Sequence, residues 1–404
     1  MTASPHRPIS ADRRKRIVIG ADTFAPNVNG AARFAERLAA GLARRGHEIH
    51  VLCPSTTTKA QVLDWHGATL HRIASHRTPA HPDFRICMPW RARKDTARLL
   101  SELRPDVVHS QAHFLVGRAL VNEAARQEIP IVATNHFMPE NLIGYVPMPP
   151  GLAERASRWA WRDFGKVYGK ADVVTTPTQR AVQLLRDNGF PLPVRPVSCG
   201  IDADRYPGDG QQVPGTVLFV GRLDEEKHVD ELLRAAALLS AEQPIRVELV
   251  GDGACRAELT ELARRLGIAD RVQFHGFVSE SDLLAAYARA EVFCMPGIAE
   301  LQSIATLEAM ASGKPIIAAN AVALPHLVTE DVNGWLYQPG DIAGLAERLR
   351  RVLGTPGESA RLGAGSRRLV GRHAIDATLD EFEEIYAEAA GEAARPRLTL
   401  ATAA

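Results

Sequence analysis

The sequence predicts an α/β protein built from two doubly wound, Rossmann-like domains facing each other across a cleft. Three observations carry this. The chain has 404 residues, more than one ordinary core accommodates. Two stretches, 16–53 and 216–250, open alike, each with an apolar strand, a polar loop, a helix and a second strand. Between them, residues 206–215 (YPGDGQQVPG) carry the prolines and glycines of a linker.

The elements follow in order. Residues 1–15 are expected to be a basic mobile tail. RIVIGA at 16–21 is an unbroken apolar run, as expected of a parallel strand buried on both faces. A loop at 22–30, a helix at 31–45 and a strand at 48–53 follow. Further strands are expected at 107–109, 131–135 and 173–177, and a helix at 152–170. The second domain starts with TVLFVG at 216–221, a loop at 222–228, a helix at 229–241 and RVELV at 246–250. Its later strands are 272–275, 292–295 and 315–319, and a helix over 303–311 is stopped by Gly313. This divides the chain into 16–205 and 206–373. The last helix, 374–390, lies beyond the second sheet's complement and is a candidate to cross back onto the first domain. Residues 391–404 are an alanine-rich tail.

Composition narrows the class. With 46% hydrophobic and 24% charged residues the chain is an ordinary globular protein. No apolar run approaches the roughly 20 residues that span a bilayer. The first 16 residues hold five Lys or Arg and no apolar segment, unlike a secretory signal. Five scattered cysteines without a CxxC imply reduced thiols and a cytoplasmic protein, not a disulfide framework or a zinc site. The net charge of +1 hides an asymmetry: residues 1–200 carry 28 basic against 16 acidic residues, and 201–404 carry 20 against 31. A cationic half meets either an anionic surface or the anionic half across the cleft.

Ligands of open α/β sheets bind at the carboxyl ends of the strands, and there the polar motifs fall. MPGIAELQSIATLEAMASG at 295–313 places Glu300 on a loop and Glu308 inside the following helix. Between them the amides of Leu301, Gln302, Ser303 and Ile304 have no partner within the helix and are able to bind an anion. Carboxylates accept from hydroxyls and amides donate to phosphate, so the ligand described is a nucleotide-sugar. Gly221-Arg222-Leu223-Asp224-Glu225-Glu226-Lys227 puts two cations, Arg222 and Lys227, where they would neutralise a diphosphate. The turns at Gly251 and at Gly276-Phe277-Val278 let backbone approach a base or ribose. In the first domain Gly30 opens a helix after Pro26-Asn27-Val28-Asn29, a loop that lacks GxGxxG and so disfavours a dinucleotide oxidoreductase. His136, and more weakly His109 and His113, follow strands; a lone histidine is more often structural. Residues 71–98 hold seven basic residues against two acidic. On the 152–170 helix, Arg155, Arg158, Arg162, Lys166 and Lys170 make a basic stripe near Trp159, Trp161, Phe164 and Val167, suited to an anionic bilayer or to a solvated face.

At these residues the chain resembles glycosyltransferase family 4, retaining enzymes with the GT-B fold, over roughly residues 16–390. The specific elements are Glu300-x7-Glu308 with EAMASGKPIIA, and GRLDEEKHVDELL. The resemblance implies that Arg222 and Lys227 hold the diphosphate, Glu300 and the amides near 301–304 meet the donor sugar, and Glu308 holds the ribose. It implies Gly30 against phosphate or sugar, His136 beside the reacting centre, and no essential metal or cofactor beyond the nucleoside-diphosphate sugar. Two departures stand out: the first loop has Gly30-Ala31 where the family usually has two glycines, and Glu300-Leu301-Gln302-Ser303 replaces E-x-F-G. ALPHLVTEDVNGWL, TNHFMPENLIGYVPMP and VSCGID are most similar to the diacylglycerol glucosyltransferase branch. The expectation is therefore a retaining hexosyltransferase using UDP-glucose and a lipid hydroxyl, peripheral on the cytoplasmic membrane face, with no nucleic acid partner. The alternative is a GDP-mannose- or UDP-sugar-dependent enzyme with a soluble or inositol-type acceptor.

Overall fold

The computed structural model describes residues 14–27, 29–77, 85–136, 150–206 and 210–392. The basic tail at 1–13, Val28, residues 78–84, the bulk of TNHFMPENLIGYVPMP at 137–149, linker residues 207–209 and the tail at 393–404 lie outside the described residues. The chain divides into two compact units, Met1–Ser198 with Asp376–Ala404, and Cys199–Ile375.

The first unit runs β1 (Arg16–Gly20), α1 (Gly30–Arg44), β2 (Glu48–Pro54), β3 (Gln61–Trp65), β4 (Ala68–Ile73), β5 (Ser75–Arg77), β6 (Arg85–Cys87), α2 (Pro89–Leu103), β7 (Val107–Ser110), α3 (Leu115–Arg126), β8 (Ile131–Thr134), α4 (Pro150–Tyr168), β9 (Val173–Thr176), α5 (Gln179–Asp187) and β10 (Val194–Pro196). Its sheet has the order β10-β9-β8-β7-β1-β2-β4-β3, and β5 pairs with β6 separately. The sheet is parallel except for β3, antiparallel to β4. Strands step outward from β1 through β2 on one side and from β7 on the other. A topological switch therefore falls between β1 and β7. Helix α1 forms because Ala32, Phe34, Ala35, Leu38, Ala39 and Leu42 recur on one buried face, and Asn29 caps it by accepting the Ala32 amide at 2.9 Å.

The second unit runs β11 (Thr216–Val220), α6 (Val229–Ser240), β12 (Arg246–Val250), α7 (Arg256–Arg265), β13 (Val272–Gly276), α8 (Glu280–Arg289), β14 (Val292–Met295), α9 (Ile304–Ala311), β15 (Ile316–Ala319), β16 (Gly334–Tyr337), α10 (Ile342–Gly354) and α11 (Glu358–Val370). The order β13-β12-β11-β14-β15-β16 is parallel throughout, and the switch falls between β11 and β14. β14 and β15 are buried at every residue, as continuous apolar runs require.

The second unit begins at Cys199, not at residue 206. Residues 199–201 are tied to its far end: Ile201 donates to His373 at 2.8 Å and Ile375 donates to Ile201 at 3.0 Å. The last helix, α12 (Ile375–Ala387), belongs to the first unit from Asp376 onward. There Leu379 packs so close to α1 that a Cβ on Gly41 would meet it at 2.6 Å. Phe382 and Tyr386 are fully buried in that unit, each contributing on the order of 2 kcal/mol of apolar transfer.

The five cysteines are free, and all but Cys255 are buried. Burial pushes the Cys53 and Cys87 thiols up to about 12, which leaves them inert.

Candidate active site

In the second unit the switch between β11 and β14 brings the loops after those strands side by side. Lys227, at the end of a short 3₁₀ turn after β11, points its Nζ at Glu300 Oε1, 2.5 Å away. The two side chains are 12% and 14% exposed. Backbone bonds hold both loops, with Ile298 donating to Glu226 at 2.9 Å and Ala323 donating to Glu300 at 3.2 Å. Gly297 lies against the pair: a Cβ there would sit 3.4 Å from Lys227 Cδ and 3.5 Å from Glu300 Oε1.

Arg222 shares this loop, but its guanidinium is engaged. Nη1 bonds to Asp224, and Nη2 donates to Glu226 Oε1 at 2.6 Å. Asp224 and Glu226 are partners of Arg222 that the sequence reading missed. Their signal is the acidic run DEE inside the motif, with Glu226 four residues from Arg222.

Neighbouring strand ends pack backbone on backbone. Gly221 donates to Val250 at 3.0 Å and Gly251 to Gly276 at 2.9 Å. Gly251 has φ +128°, and a Cβ there would meet Gly221 O at 1.9 Å, so only glycine fits. Beyond β13, Phe277 is 62% exposed, while Val278 packs against the core.

The helix start differs from the one expected. Helix α9 starts at Ile304, and Ser303 is its cap, accepting the Thr306 amide at 3.3 Å and the Thr306 hydroxyl at 2.9 Å. Leu301 and Gln302 precede the helix, so the first-turn amides lacking an intrahelical acceptor are those of Ile304 and Ala305. The extra bulk of Ser303, buried at 2%, is turned into the cap. Gln302 reaches back to accept the Cys199 amide at 2.7 Å. Glu308 is buried, and its Oε2 accepts the Tyr287 hydroxyl at 3.1 Å. Tyr287 is a third residue that sequence reasoning did not find.

In the first unit Gly30 is the first residue of α1, next to the Asn29 cap. His136 lies just beyond β8, its Nε2 2.8 Å from Gln111 Oε1. Burial pushes its imidazole down to about 3, so the ring is neutral. His109 is an interior group: it lies 2.7 Å from the Tyr386 hydroxyl and 2.6 Å from Thr134 Oγ1. His113 packs edge-on to Phe164 at 5.2 Å and is also held neutral by burial. Neither presents a free imidazole to a ligand.

Helix α4 keeps Arg155, Arg158, Arg162 and Lys166 exposed, along with Trp159. Trp161, Phe164 and Val167 face the core and cannot serve an outer surface, a correction to the aromatic part of the stripe. Among the described residues, no helix is long and apolar enough to cross a membrane. No group of three or more His, Cys, Asp or Glu among them is arranged to hold a metal.

Residues 28–205 match the family described as Glycosyltransferase Family 4, and residues 209–369 match Glycosyl transferases group 1. The chain is 30% identical over 372 residues to a GDP-mannose-dependent alpha-mannosyltransferase of Mycolicibacterium smegmatis, covering 88% of this chain and 92% of that protein. It is 27% identical over 361 residues to the alpha-monoglucosyldiacylglycerol synthase of Streptococcus pneumoniae, covering 84% and 79%. Among solved structures, sucrose-phosphate synthase from Thermosynechococcus elongatus superposes with a TM-score of 0.77 over 93% of this chain and 99% of that one; at 21% identity this likeness speaks to the fold.

Proposed function

The chain belongs to glycosyltransferase family 4, has the GT-B fold and transfers a sugar from a nucleotide sugar, and from that premise we propose that it moves glucose from UDP-glucose to a lipid hydroxyl such as that of diacylglycerol, with retention. The observation that carries this reading is the Lys227–Glu300 pair at 2.5 Å between the loops after β11 and β14. It sets a cation for the departing diphosphate beside a carboxylate for the sugar, at the switch point where α/β sheets bind ligands.

Lys227 stabilises charge on the leaving diphosphate, and Arg222 joins it by exchanging Asp224 and Glu226 for phosphate oxygens. The amides of Ile304 and Ala305 donate to the same group, Glu300 orients the hexose, and Glu308 receives the ribose. The bond from C1 to the diphosphate oxygen breaks as the acceptor oxygen bonds to C1 on the same face. The acceptor proton passes to the departing phosphate oxygen, so no carboxylate nucleophile is required. His136 stands on the acceptor side as a neutral imidazole. The exposed cations of α4 with Trp159 supply contact with an anionic membrane surface.

A second reading, a GDP-mannose donor with a soluble or inositol-type acceptor, is favoured by the mannosyltransferase relative, which is matched over 92% of its length. Thermal shift with UDP-glucose, GDP-mannose and ADP-glucose separates the donors, because a bound ligand raises the melting temperature by mass action. The expected result is a rise with UDP-glucose that is lost in Lys227→Ala; a rise with GDP-mannose alone selects the second reading, and no rise with any sinks both. Co-sedimentation with phosphatidylglycerol vesicles at low and high salt tests the membrane contact, and no pelleting at low salt removes it.

A further inference from the structure

Gln111 follows β7 and is 3% exposed. Its amide donates to Gly20 at 2.8 Å, which ties its backbone to the end of β1. The loop behind it is closely packed. A Cβ on Gly117 would meet Ala112 O at 1.7 Å, and buried Asp22 accepts the amides of Val116 and Gly117 at 2.8 and 3.2 Å. From this fixed base the side-chain oxygen lies 2.8 Å from His136 Nε2. A carbonyl oxygen only accepts, so Nε2 carries the hydrogen and Nδ1 is the basic nitrogen of the neutral ring. The Phe34 ring, with its centroid 4.9 Å from that of the imidazole, packs against it.

The other end of the amide is unmatched. Among the described residues, Gln111 Nε2 is buried with no acceptor in reach. A buried NH2 without an acceptor is a standing penalty, and an apolar side chain of similar size would avoid it. A glutamine so placed, with one end on a candidate catalytic histidine and the other without a partner among the described residues, is better suited to a ligand than to the fold.

We propose that Gln111 is a positioning residue for sugar transfer: its amide oxygen sets the tautomer and direction of His136, and its NH2 donates to an oxygen of the bound hexose or acceptor hydroxyl. This rests on the reading that places His136 beside the reacting centre. The arrangement presents Nδ1 as a fixed acceptor for a hydroxyl hydrogen, with a donor beside it for a hydroxyl oxygen, a pair matched to a polyol and not to an apolar group.

Two measurements on the full chain test it. Long-range ¹⁵N spectra of the imidazoles, with His136 assigned by its loss in His136→Ala, report the tautomer without any need for turnover. The expected state is Nε2–H in the native chain and in Gln111→Glu, and a mixture in Gln111→Leu; Nδ1–H in the native chain overturns the proposal. Nucleoside diphosphate release from UDP-glucose and from GDP-mannose, each with dioleoylglycerol, gives the kinetic arm. Gln111→Leu is expected to lower kcat about tenfold to a hundredfold. Its donor KM stays within about twofold, and Gln111→Glu recovers part of kcat. A folded Gln111→Leu with native kcat, or a loss confined to KM, overturns the proposal. Native turnover in His136→Ala instead overturns the underlying reading of His136, a result distinguishable from a failure at Gln111.

Discussion

Lys227 Nζ and Glu300 Oε1 meet at 2.5 Å, although 73 positions separate them in the chain. The bond joins two loops that leave adjacent parallel strands on opposite sides of the switch, so it sets their relative position before any donor arrives. With both side chains largely enclosed, it is worth more than an exposed pair. Removing one partner leaves the other charge short of a counterion. Lys227→Ala is therefore expected to lower kcat/KM by about 10²- to 10³-fold, as for the loss of a group that stabilises leaving charge. Glu300→Gln should lose turnover but keep the thermal shift with the nucleoside diphosphate alone, because the proposed partner of Glu300 is the sugar. Equal loss of that shift in both variants would contradict this division of labour.

The close approach of the strand ends leads to a second expectation. Gly251 combines φ +128° with a backbone oxygen 1.9 Å from any added Cβ. Gly251→Ala must push β12 away from the Gly221 turn, costing about 2 kcal/mol or more of stability in the second unit. Since Gly221 precedes Arg222, nucleotide binding should weaken with it. Urea unfolding followed by tryptophan fluorescence, together with the thermal shift, checks both effects.

How much of this was legible in the sequence depends on what each residue needed in order to be placed. TVLFVG and VFCM were readable as strands because a parallel strand buried on both faces must be a continuous apolar run. β3, β5 and β6 were not, because they are short and lie at an edge or in a separate hairpin, with Val62 66% and Leu63 44% exposed on β3. The basic stripe of α4 was visible at helical spacing, but the inward turn of Trp161 and Phe164 depends on packing that no local pattern records. Motif spacing marked Arg222, Lys227, Glu300 and Glu308. What holds them is a matter of tertiary contact: Asp224 and Glu226 for Arg222, and Tyr287 for Glu308. The same is true of Gln111, one unremarkable residue until β7 and β8 are set side by side.

The interior histidines of the first unit make it sensitive to acid. Burial pushes His109 and His136 from the ordinary 6.5 down to about 3, so both are neutral in the folded state. Below pH 6.5 the unfolded chain takes up protons there that the folded chain does not, and stability rises with pH over that range. Their contribution is intact above about 6.5 and is lost progressively as pH falls toward 3, at roughly 1.4 kcal/mol per pH unit for each ring. Chemical denaturation between pH 7 and 4 should show this slope, and His109→Asn should reduce it. A flat profile across that window would argue against neutral buried rings.

Arg45 sets the last expectation, which concerns the return of the chain end to the first unit. Its guanidinium, 10% exposed, bonds to Asp380 at 2.5 Å, to Glu383 at 3.2 Å and to the Asp376 carbonyl at 2.9 Å, all on α12. His47 adds a contact to Glu383 at 3.2 Å. These are the polar counterpart of the Leu379, Phe382 and Tyr386 packing, and they fix the register of α12 on α1 because three acceptors one turn apart must all meet one fork. Lysine cannot reproduce the fork, since it is a single point of charge. Arg45→Met removes the cation and leaves a run of acidic groups facing one another, at a cost of about 1–3 kcal/mol, discounted for the exposure of Asp376 and Asp380. Hydrogen exchange should show protection lost first in 375–387 and only then in the strands. A variant in which α12 keeps native protection would mean that apolar packing alone holds the helix.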